Sequence, residues 1–579
     1  MTADELLAAL DPQQREVAEA LTGPVRVLAG AGTGKTRAIT HRIAYGVRTG
    51  VYRPDSVLAV TFTARAAGEM RARLAALGVE GVQARTFHSA ALRQLSYFWP
   101  RAVGGPPPRL IDHKAKLVAS AAQQLGLEVD RISVRDLAAE IEWVKTSLLE
   151  ADDYVTQSQA AGRSGPTGFA PQEIAQLIRA YEDTKDAAGF IDFEDVLLLL
   201  GGILQENAVI AEEVHRQYRR FVVDEFQDVS PLQNFLLNQW LGGRQELCVV
   251  GDPSQTIYSF SGASSRYLLE FAKKYPKAKR IELIRDYRSS PQIVKLANQL
   301  LSQPVHDDDY PALELKSQRP AGPPPVIAAY GDDEAEAQQV VQQIKRLIAA
   351  GVNPGEIAIL YRTNAQSAVF EAELAAQQLS YQVRGSENFF AKPQVREAIA
   401  VLRVEALSGI TELPLEHQVP KTLEDLGFDI AKPPRAAGAQ REKWEYLKTL
   451  CEMAEQFAST APNLKLKDFV TELAHREQTN QVPATGGVTL ASLHAAKGLE
   501  WDAVFLTGIS DGLLPISWAV DPEAYSEERR LLYVGITRAR EHLAISWAKS
   551  RHPGGAQNRK ISPFLLKLQE SPRSRNKFH

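Results

Sequence analysis

The sequence predicts an α/β protein with two parallel-sheet domains, each interrupted by a mainly helical insertion. Short, continuous apolar runs alternate with longer helical patterns along the chain, which is typical of parallel strands buried on both faces. The runs form two groups, one before about residue 286 and one after about residue 326. The predicted strands are 25–28, 57–60, 221–223, 247–250, 357–360, 488–490, 503–506 and 543–545.

Within each group of strands, the chain contains a helix-rich segment with Pro and Gly breakers. These segments set the predicted domain boundaries. We expect a first α/β domain at 1–89 and 196–285 with an insertion at 90–195. The second α/β domain is expected at 286–390 and 486–570, with an insertion at 391–485 and a basic tail at 571–579. Residues 320–325 contain four prolines and predict a stiff connector into the second sheet.

Composition sets the broad class of the protein. The chain has 579 residues, 44% hydrophobic and 23% charged, which fits a globular protein with several hydrophobic cores. Two cysteines, Cys248 and Cys451, are too few for a disulfide framework, so a reducing compartment is expected. We find no secretory signal and no apolar run long enough for a membrane helix, which predicts a soluble, cytoplasmic protein. The net charge of −4 argues against nucleic-acid binding.

A glycine-rich loop follows the first predicted strand. Residues 29–36 read AGAGTGKT and precede a helical pattern, which is the strand, loop and helix order of a phosphate-binding loop. Its glycines let backbone N–H groups turn towards the β-phosphate, while Lys35 neutralises phosphate oxygens and Thr36 offers a hydroxyl to Mg²⁺. The predicted nucleotide-binding residues of the loop are Ala31, Gly32, Thr33, Gly34, Lys35 and Thr36.

A pair of carboxylates completes this predicted site. The apolar strand at 221–223 ends in Asp224 and Glu225. Asp224 would hold Mg²⁺ through water, and Glu225 would act as the general base that orients and deprotonates the attacking water. No guanine-reading element is visible, since Ala187 and not Asp follows the sequence TKD at 184–186, so ATP is favoured over GTP.

Ten motifs in this order resemble those of superfamily 1 DNA helicases of the UvrD, Rep and PcrA type, in a short form with a reduced second insertion. The resemblance runs from about residue 10 to about residue 570 and implies two RecA-like motor domains of the P-loop NTPase class. The motifs are LDPQQ (10–14), AGAGTGKT (29–36), VTFT (60–63), TFH (86–88), DEFQD (224–228), VGDPSQTIY (250–258), DYRSS (286–290), YRTNAQS (361–367), LHAAKGLEW (493–501) and ERRLLYVGITRA (528–539).

The resemblance implies further nucleotide contacts. Gln14 would read adenine with its amide, and Arg37 and Tyr287 would flank the ring. Glu500 would hold the ribose. The predicted γ-phosphate contacts, which come from or near the second domain, are the arginine fingers Arg288 and Arg538, with Gln255 as a sensor that couples the phosphate to DNA.

The resemblance also implies a groove for single-stranded DNA, in which aromatic side chains stack on bases. Its predicted residues are Phe62, Thr86, Phe87, His88, Tyr258 and Phe260, with Asn364 and His494 from the second domain. Two residues depart from the family pattern. Phe260 and Ser261 stand where Trp and Arg are common, and Asp286 stands where Asn is often found.

These features predict an ATP- and Mg²⁺-dependent motor that moves 3′ to 5′ on single-stranded DNA and unwinds tailed duplex DNA, in repair or replication restart. One alternative is a translocase that strips proteins from DNA with weak strand separation, favoured by a second insertion of about 95 residues. Two further alternatives are a non-catalytic DNA-binding scaffold and a helicase-nuclease subunit. The sequence does not identify any repair-protein partner.

The distribution of charge answers the objection that the net charge raises. Residues 35–101 contain 11 basic and 3 acidic side chains, and residues 529–579 contain 12 and 2. Residues 150–195 are acidic, with 3 basic and 10 acidic side chains. Local basic segments suffice to bind phosphates, so we expect DNA binding to be confined to one groove and to weaken with salt.

Overall fold

The computed structural model describes residues 2–111, 113–163, 165–166, 168–259, 262–302, 312–384, 390, 392–408, 413–432, 439–458, 464–479, 486–517, 519–551 and 553–569. The chain forms two compact units. The first unit comprises Met1–Pro320 and Ala519–Tyr533, and the second comprises Ala321–Trp518 and Val534–His579. Phe260, Ser261 and the predicted tail at 571–579 lie outside the described residues.

The first unit is built on a six-stranded parallel sheet with the order β3-β2-β6-β7-β1-β8. Two short parallel pairs, β4 with β5 and β9 with β10, lie outside this sheet. The strands are β1 (Val25–Ala29), β2 (Val57–Thr61), β3 (Gln83–Thr86), β4 (Arg109–Leu110), β5 (Phe190–Ile191), β6 (Arg220–Val223), β7 (Leu247–Gly251), β8 (Lys279–Leu283), β9 (Arg285–Asp286) and β10 (Lys316–Ser317).

Helices cover both faces of this sheet, so the strands are buried as continuous apolar runs. The helices of this part of the chain are α1 (Ala3–Ala8), α2 (Pro12–Glu19), α3 (Lys35–Arg48), α4 (Ala64–Ala76), α5 (Phe87–Ala102), α6 (Ala115–Gln124), α7 (Arg131–Thr146), α8 (Tyr154–Ala160), α9 (Pro171–Ala187), α10 (Phe193–Glu206), α11 (Ala208–Gln217), α12 (Pro231–Leu241), α13 (Arg266–Leu269), α14 (Phe271–Lys274) and α15 (Pro291–Leu301).

The second unit has its own six-stranded parallel sheet, with the order β11-β16-β15-β12-β14-β13. Its strands are β11 (Val326–Asp332), β12 (Ile357–Tyr361), β13 (Tyr381–Arg384), β14 (Val488–Ser492), β15 (Trp501–Leu506) and β16 (Ala539–Ser550). The remaining helices are α16 (Asp333–Ala349), α17 (Ser367–Ala376), α18 (Pro393–Ser408), α19 (Leu415–Leu423), α20 (Ala439–Ala458), α21 (Leu466–Thr479), α22 (Pro522–Ile536) and α23 (Pro563–Gln569).

As predicted, a mainly helical insertion separates the strands of each sheet along the chain. Helices α6–α9 share a core of their own in the first unit, and α18–α21 share another in the second. The predicted boundary at residue 90 falls inside α5, whose buried residues pack into the core of the first sheet. Among the described residues, no helix combines the length and apolarity needed to cross a membrane.

The two units divide the chain differently from the predicted domains at two places. Residues up to Pro320 stay with the first unit, because β10 pairs with β9 and Asn298 of α15 hydrogen-bonds both backbone groups of Leu315. Residues Ala519–Tyr533, which were expected in the second domain, also belong to the first unit. Both cysteines, Cys248 and Cys451, are buried, and neither forms a disulfide.

Candidate active site

The predicted phosphate loop connects β1 to the first residue of α3, Lys35. Gly34 caps α3 in the left-handed region at φ 76°, and Gly32 also has a positive φ of 70°. A side chain at Gly32 would collide with the carboxylate of Asp286. The loop therefore requires glycine at both positions, and its backbone N–H groups at the start of a helix form a site for phosphate.

The carboxylate pair lies beside this loop. The Nζ atom of Lys35 is 3.4 Å from Oε2 of Glu225, and Nε2 of Gln227 donates to the same oxygen at 2.6 Å. Glu225 adopts a left-handed φ of 51°, a strained conformation for a residue with a side chain. Two donors therefore fix the carboxylate that was predicted to activate water.

Asp224 follows directly after β6 and is buried, and its Oδ1 atom accepts the N–H of Glu225 at 2.9 Å. Burial, with the neighbouring charge of Glu225, raises the pKa of Asp224 to about 7, and Lys35 opposes the shift. Thr36 stands next to Lys35 in the first turn of α3. A carboxylate and a hydroxyl are the oxygen donors that Mg²⁺ prefers, and Mg²⁺ commonly uses few protein ligands beside substrate phosphates, so these residues fit the ion.

The residues predicted to contact adenine are Gln14, Arg37 and Tyr287, and each of them donates a hydrogen bond to a nearby backbone carbonyl. Gln14 is buried and its Nε2 atom donates to the carbonyl of Thr33 in the phosphate loop at 3.0 Å. The backbone N–H of Tyr287 donates to the carbonyl of Gly32 at 2.9 Å. Arg37 donates to the carbonyl of Ala9, ahead of α2.

Asp11 links these groups, although sequence reasoning did not single it out. Its Oδ1 atom caps α2 by accepting the N–H of Gln14 at 2.8 Å, and its Oδ2 atom accepts the hydroxyl of Tyr287 at 2.6 Å. The Asp before Pro12 is a recognisable helix N-cap signal, but nothing in the sequence marks its contact with Tyr287.

Asp286, where the family often has Asn, is a turn residue in this structure. Its Oδ1 atom accepts the N–H of Arg288 at 2.6 Å and the N–H of Ser289 at 3.0 Å. The side-chain oxygen of an Asn could accept both bonds, which accounts for the exchange. Arg288 itself lies in the first unit, not in the second domain as predicted, because β9 pairs with β10 there.

Gln255 connects to Glu225, the predicted general base, through a chain of hydrogen bonds. Its Nε2 atom donates to Oδ2 of Asp252 at 2.7 Å. The N–H of Asp252 in turn donates to Oε1 of Gln227 at 3.0 Å, and Gln227 donates to Glu225. All four side chains follow β6 or β7, which are neighbouring strands, so the sheet brings the two motifs together.

The predicted DNA-binding aromatics of the first unit differ in their exposure. Phe87 is 1% exposed, because its ring stacks on Trp240 at 5.9 Å. It is therefore a core residue that supports the half-buried Phe62, whose ring meets it edge-on at 6.3 Å. Thr86 is likewise structural here, since its hydroxyl caps α5 by accepting the N–H of Ser89.

His88 follows Phe87 and points to an aromatic residue that sequence reasoning missed. Its ring meets Phe193 edge-on at 5.9 Å, and Phe193 is 48% exposed. Burial, with a contribution from Lys114, lowers the pKa of His88 to about 4, so the ring is neutral at pH 7. An exposed aromatic at the start of a helix, as in the sequence DFED at 192–195, was the available signal.

In the second unit, Asn364 and His494 follow β12 and β14, which are parallel neighbours. The N–H of Leu493 donates to the carbonyl of Tyr361 at 2.8 Å, so both loops leave the same edge of the sheet. Asn364 is exposed. Burial, with the charges of Arg362 and Lys497, lowers the pKa of His494 to about 4 and leaves it neutral at pH 7.

Glu500 and Arg538, the predicted nucleotide contacts of the second unit, both have partners inside that unit. Arg540 donates to Glu500 at 3.0 Å, to Glu356 at 2.7 Å and to Asp502 at 3.0 Å. Arg538 is buried, and its guanidinium donates to the backbone carbonyls of Val534 and Leu499.

A glycine loop between a strand and a helix, next to a buried Asp-Glu pair on a parallel sheet, defines a P-loop nucleoside triphosphatase, here with a second parallel sheet that has the RecA-like form. Comparison with known families gives the particular class. The UvrD/REP helicase N-terminal domain matches residues 10–276, and the UvrD-like helicase C-terminal domain matches residues 281–408 and 412–550. The chain belongs to the UvrD/REP helicase family, which confirms the resemblance, and it is an ATP-dependent DNA helicase of the UvrD and PcrA type.

Similar proteins agree with this assignment. ATP-dependent DNA helicase UvrD2 of Mycobacterium tuberculosis (strain ATCC 25618 / H37Rv) is 49% identical over 580 residues, covering 98% of this chain and 82% of the relative. ATP-dependent DNA helicase PcrA of Bacillus subtilis (strain 168) is 30% identical over 654 residues, covering 98% and 86%. ATP-dependent DNA helicase UvrD1 of Mycobacterium tuberculosis (strain ATCC 25618 / H37Rv) is 29% identical over 676 residues, with the same coverage.

Proposed function

We propose that the protein uses ATP and Mg²⁺ to move 3′ to 5′ along single-stranded DNA and to separate tailed duplexes, in DNA repair or replication restart in the cytoplasm. One observation supports this most directly. A chain of hydrogen bonds joins Glu225 to Gln255, and Tyr258 follows Gln255 by three residues in the sequence, so the proposed hydrolysis site and a proposed strand-binding aromatic are linked through one short segment. The polarity and the repair role rest on the family resemblance.

In the proposed reaction, backbone N–H groups of the phosphate loop and Lys35 bind the phosphates of ATP. Glu225 holds the attacking water and accepts its proton, with its own carboxylate fixed by Gln227. Mg²⁺, held through Thr36 and Asp224, supplies positive charge against the phosphate oxygens. Gln255 and Arg288 complete the contacts of the first unit, and Arg538 and Glu500 stay predicted nucleotide-contacting residues.

The track for DNA in the first unit consists of Phe62, His88, Phe193 and Tyr258. All four are half-buried or exposed, as a stacking platform must be, whereas Phe87 is not. The neutral rings of His88 and His494 favour stacking or hydrogen bonding over phosphate binding. Asn364 and His494 are the proposed contacts of the second unit.

A translocase with weak strand separation is the second candidate. The specific observation is the size of the second insertion, which was expected at 391–485 and contains helices α18–α21 between β13 and β14. A smaller insertion offers less surface for holding duplex DNA ahead of the motor.

A strand-displacement assay with 3′-tailed and 5′-tailed duplexes, run beside ATPase measurements, tests both candidates. Displacement of the 3′-tailed duplex alone, with DNA-stimulated ATPase, supports the helicase and its polarity. DNA-stimulated ATPase without displaced strand supports the translocase. ATPase that does not respond to single-stranded DNA would overturn both.

A further inference from the structure

Helix α22 contains two side chains that hold the segment carrying Tyr258. Residues Ala519–Tyr533, which include most of α22, belong to the first unit although their chain neighbours on both sides belong to the second. We propose that Glu527 is a positioning residue for single-stranded DNA, because its carboxylate fixes the loop that presents Tyr258. This inference rests on the proposed function of Tyr258 in strand binding.

The contacts of Glu527 converge on a single residue. The backbone N–H of Ser259 donates to Oε1 of Glu527 at 3.3 Å, and the hydroxyl of Ser259 donates to Oε2 of the same carboxylate. One turn later on α22, Nε of Arg530 donates to the carbonyl of Thr256 at 2.8 Å. Hydrogen bonds from α22 therefore hold the segment 256–259 at both ends, and Tyr258 lies between the two contacts.

Burial shows that this carboxylate is not a chance surface contact. Glu527 is 9% exposed, and burial raises its pKa to about 7, while Arg530 and the N–H of Ser259 oppose the shift and the charges of Glu528 and Glu523 add to it. Burying a carboxyl group is costly unless hydrogen bonds compensate. An apolar residue would serve packing alone at lower cost, so the hydrogen bonds to Ser259 account for the glutamate.

Fixing this loop would affect strand binding in particular. Burial, with the charges of Asp228 and Glu225, raises the pKa of Tyr258 to about 12, and its half-buried ring lies on the segment that Glu527 holds through Ser259. A platform that is already ordered loses less conformational entropy when a base stacks on it. Loss of the hydrogen bonds between Glu527 and Ser259 should therefore weaken DNA binding more than it changes the rate of ATP hydrolysis in the absence of DNA.

The test compares E527A, E527Q and S259A with E523A, a control on the same helix whose side chain is exposed. The readouts are the Kd for oligothymidylate by fluorescence anisotropy and the ATPase rate with and without that DNA. We expect E527A to weaken DNA binding about tenfold, a size in keeping with losing charge-assisted hydrogen bonds. The KM for ATP and the DNA-free rate should stay within about twofold, E523A should match the wild type, and E527Q should be intermediate because its amide oxygen still accepts.

A double-mutant cycle separates positioning from general stability. If Glu527 acts through Ser259, E527A/S259A should bind DNA no more weakly than E527A alone. Additive losses, or unchanged affinity in both E527A and S259A, would overturn the proposal, as would a parallel fall in DNA-free ATPase. A wild-type protein that neither binds oligothymidylate nor responds to it would instead contradict the proposed function.

Discussion

The two units are built on sheets of the same size but carry different ionisable groups after their strands. Each sheet has six parallel strands, in different orders. In the first unit, the strands of the site end in buried carboxylates, Asp224 and Asp252, and burial raises the pKa of both. In the second unit, the loops after the strands present Arg362 and Lys497 beside neutral His494.

This difference shows how one architecture supports two tasks. The strand β1 leads into glycines and a helix N-terminus, which bind phosphate. The corresponding turn after β12 contains no glycine and is capped by Thr363 and Gln366. We therefore expect hydrolysis to depend mainly on side chains of the first unit, with cations and amides contributed by the second unit. This is the expected division between the two units.

The largest expected effect is on hydrolysis in the first unit. E225Q removes the proposed general base while it keeps the shape of the side chain, so kcat should fall by at least about a hundredfold with ATP binding retained. Steady-state ATPase and binding of a fluorescent ATP analogue measure the two quantities. E500Q in the second unit is the comparison, and it should change mainly the KM. Equal losses of kcat in both variants would contradict the division.

The second prediction concerns how the insertion of the first unit is anchored. Lys185 is almost fully buried and pairs with Asp195 and Glu182, next to Lys145 and Asp192. K185M would leave buried carboxylates without one of their cations, so the free energy of unfolding should fall by about 3–5 kcal/mol. Chemical denaturation measures the change.

The control for this prediction is R179M on the same helix, because Arg179 pairs with Asp152 at an exposed position. An exposed pair is worth about 1 kcal/mol or less. Similar losses in K185M and R179M would show that the buried cluster does not anchor the insertion.

The corresponding ionic cluster of the second unit is more exposed and should matter less. Arg540 donates to Glu356, Glu500 and Asp502, and its side chain is 28% exposed. R540A should lower the free energy of unfolding by about 2 kcal/mol and raise the KM for ATP if Glu500 contacts the nucleotide. R540K, which keeps the charge without the planar fork, should recover only part of both. A loss of unfolding free energy as large as that of K185M would contradict the expected difference between the two ionic clusters.

The smallest effect is a change in pH dependence, and its sign differs between the units. Burial alone would raise the pKa of Asp192 in the first unit, but Lys145, Lys114 and Lys185 hold it below its usual range. Its stabilising contribution is therefore present at neutral pH and is lost in strong acid. In the second unit, burial raises the pKa of Glu336 to about 7, although Ser546 and Gly508 donate to its carboxylate.

Because the folded second unit retains a proton on Glu336 that the unfolded chain releases, this contribution is complete below pH about 4.3 and is lost as the pH rises to about 7. E336Q cannot titrate, so it should flatten the pH dependence by on the order of 1 kcal/mol between pH 5 and 7. Thermal denaturation at several pH values checks this. An unchanged slope in E336Q would show that Glu336 does not titrate in that range.

The fold could be predicted where strands are buried on both faces. All eight predicted strands are confirmed, and they form the four inner strands of the first sheet and the four inner strands of the second. The missed strands of these two sheets, β3, β8, β11 and β13, are their edges, and the short strands β4, β5, β9 and β10 outside the sheets were missed as well. Edge strands are covered less completely and carry polar residues, as in the sequence QART of β3, so they lack a continuous apolar run.

The candidate site could be predicted where chemistry fixes the residue types along a continuous segment. The phosphate loop and the carboxylate pair are of this kind. Asp11 and Glu527 were missed because their partners are distant in sequence, and no local pattern reports such contacts. Phe193 was missed although an aromatic at the start of a helix was an available local signal. Phe87 was assigned to the DNA groove because a motif fixes where a residue stands in the sequence but does not show whether its side chain is buried.

Both cysteines are buried, Cys248 in β7 and Cys451 in α20, and burial raises the pKa of the Cys248 thiol. Thiolate is the form that reacts with maleimides, so the native chain should label poorly. Cysteines introduced at Val209 in the first unit and Leu407 in the second, both largely exposed, would then accept a donor and an acceptor dye with little background. The distance between the two units could be followed during turnover without first removing any native residue.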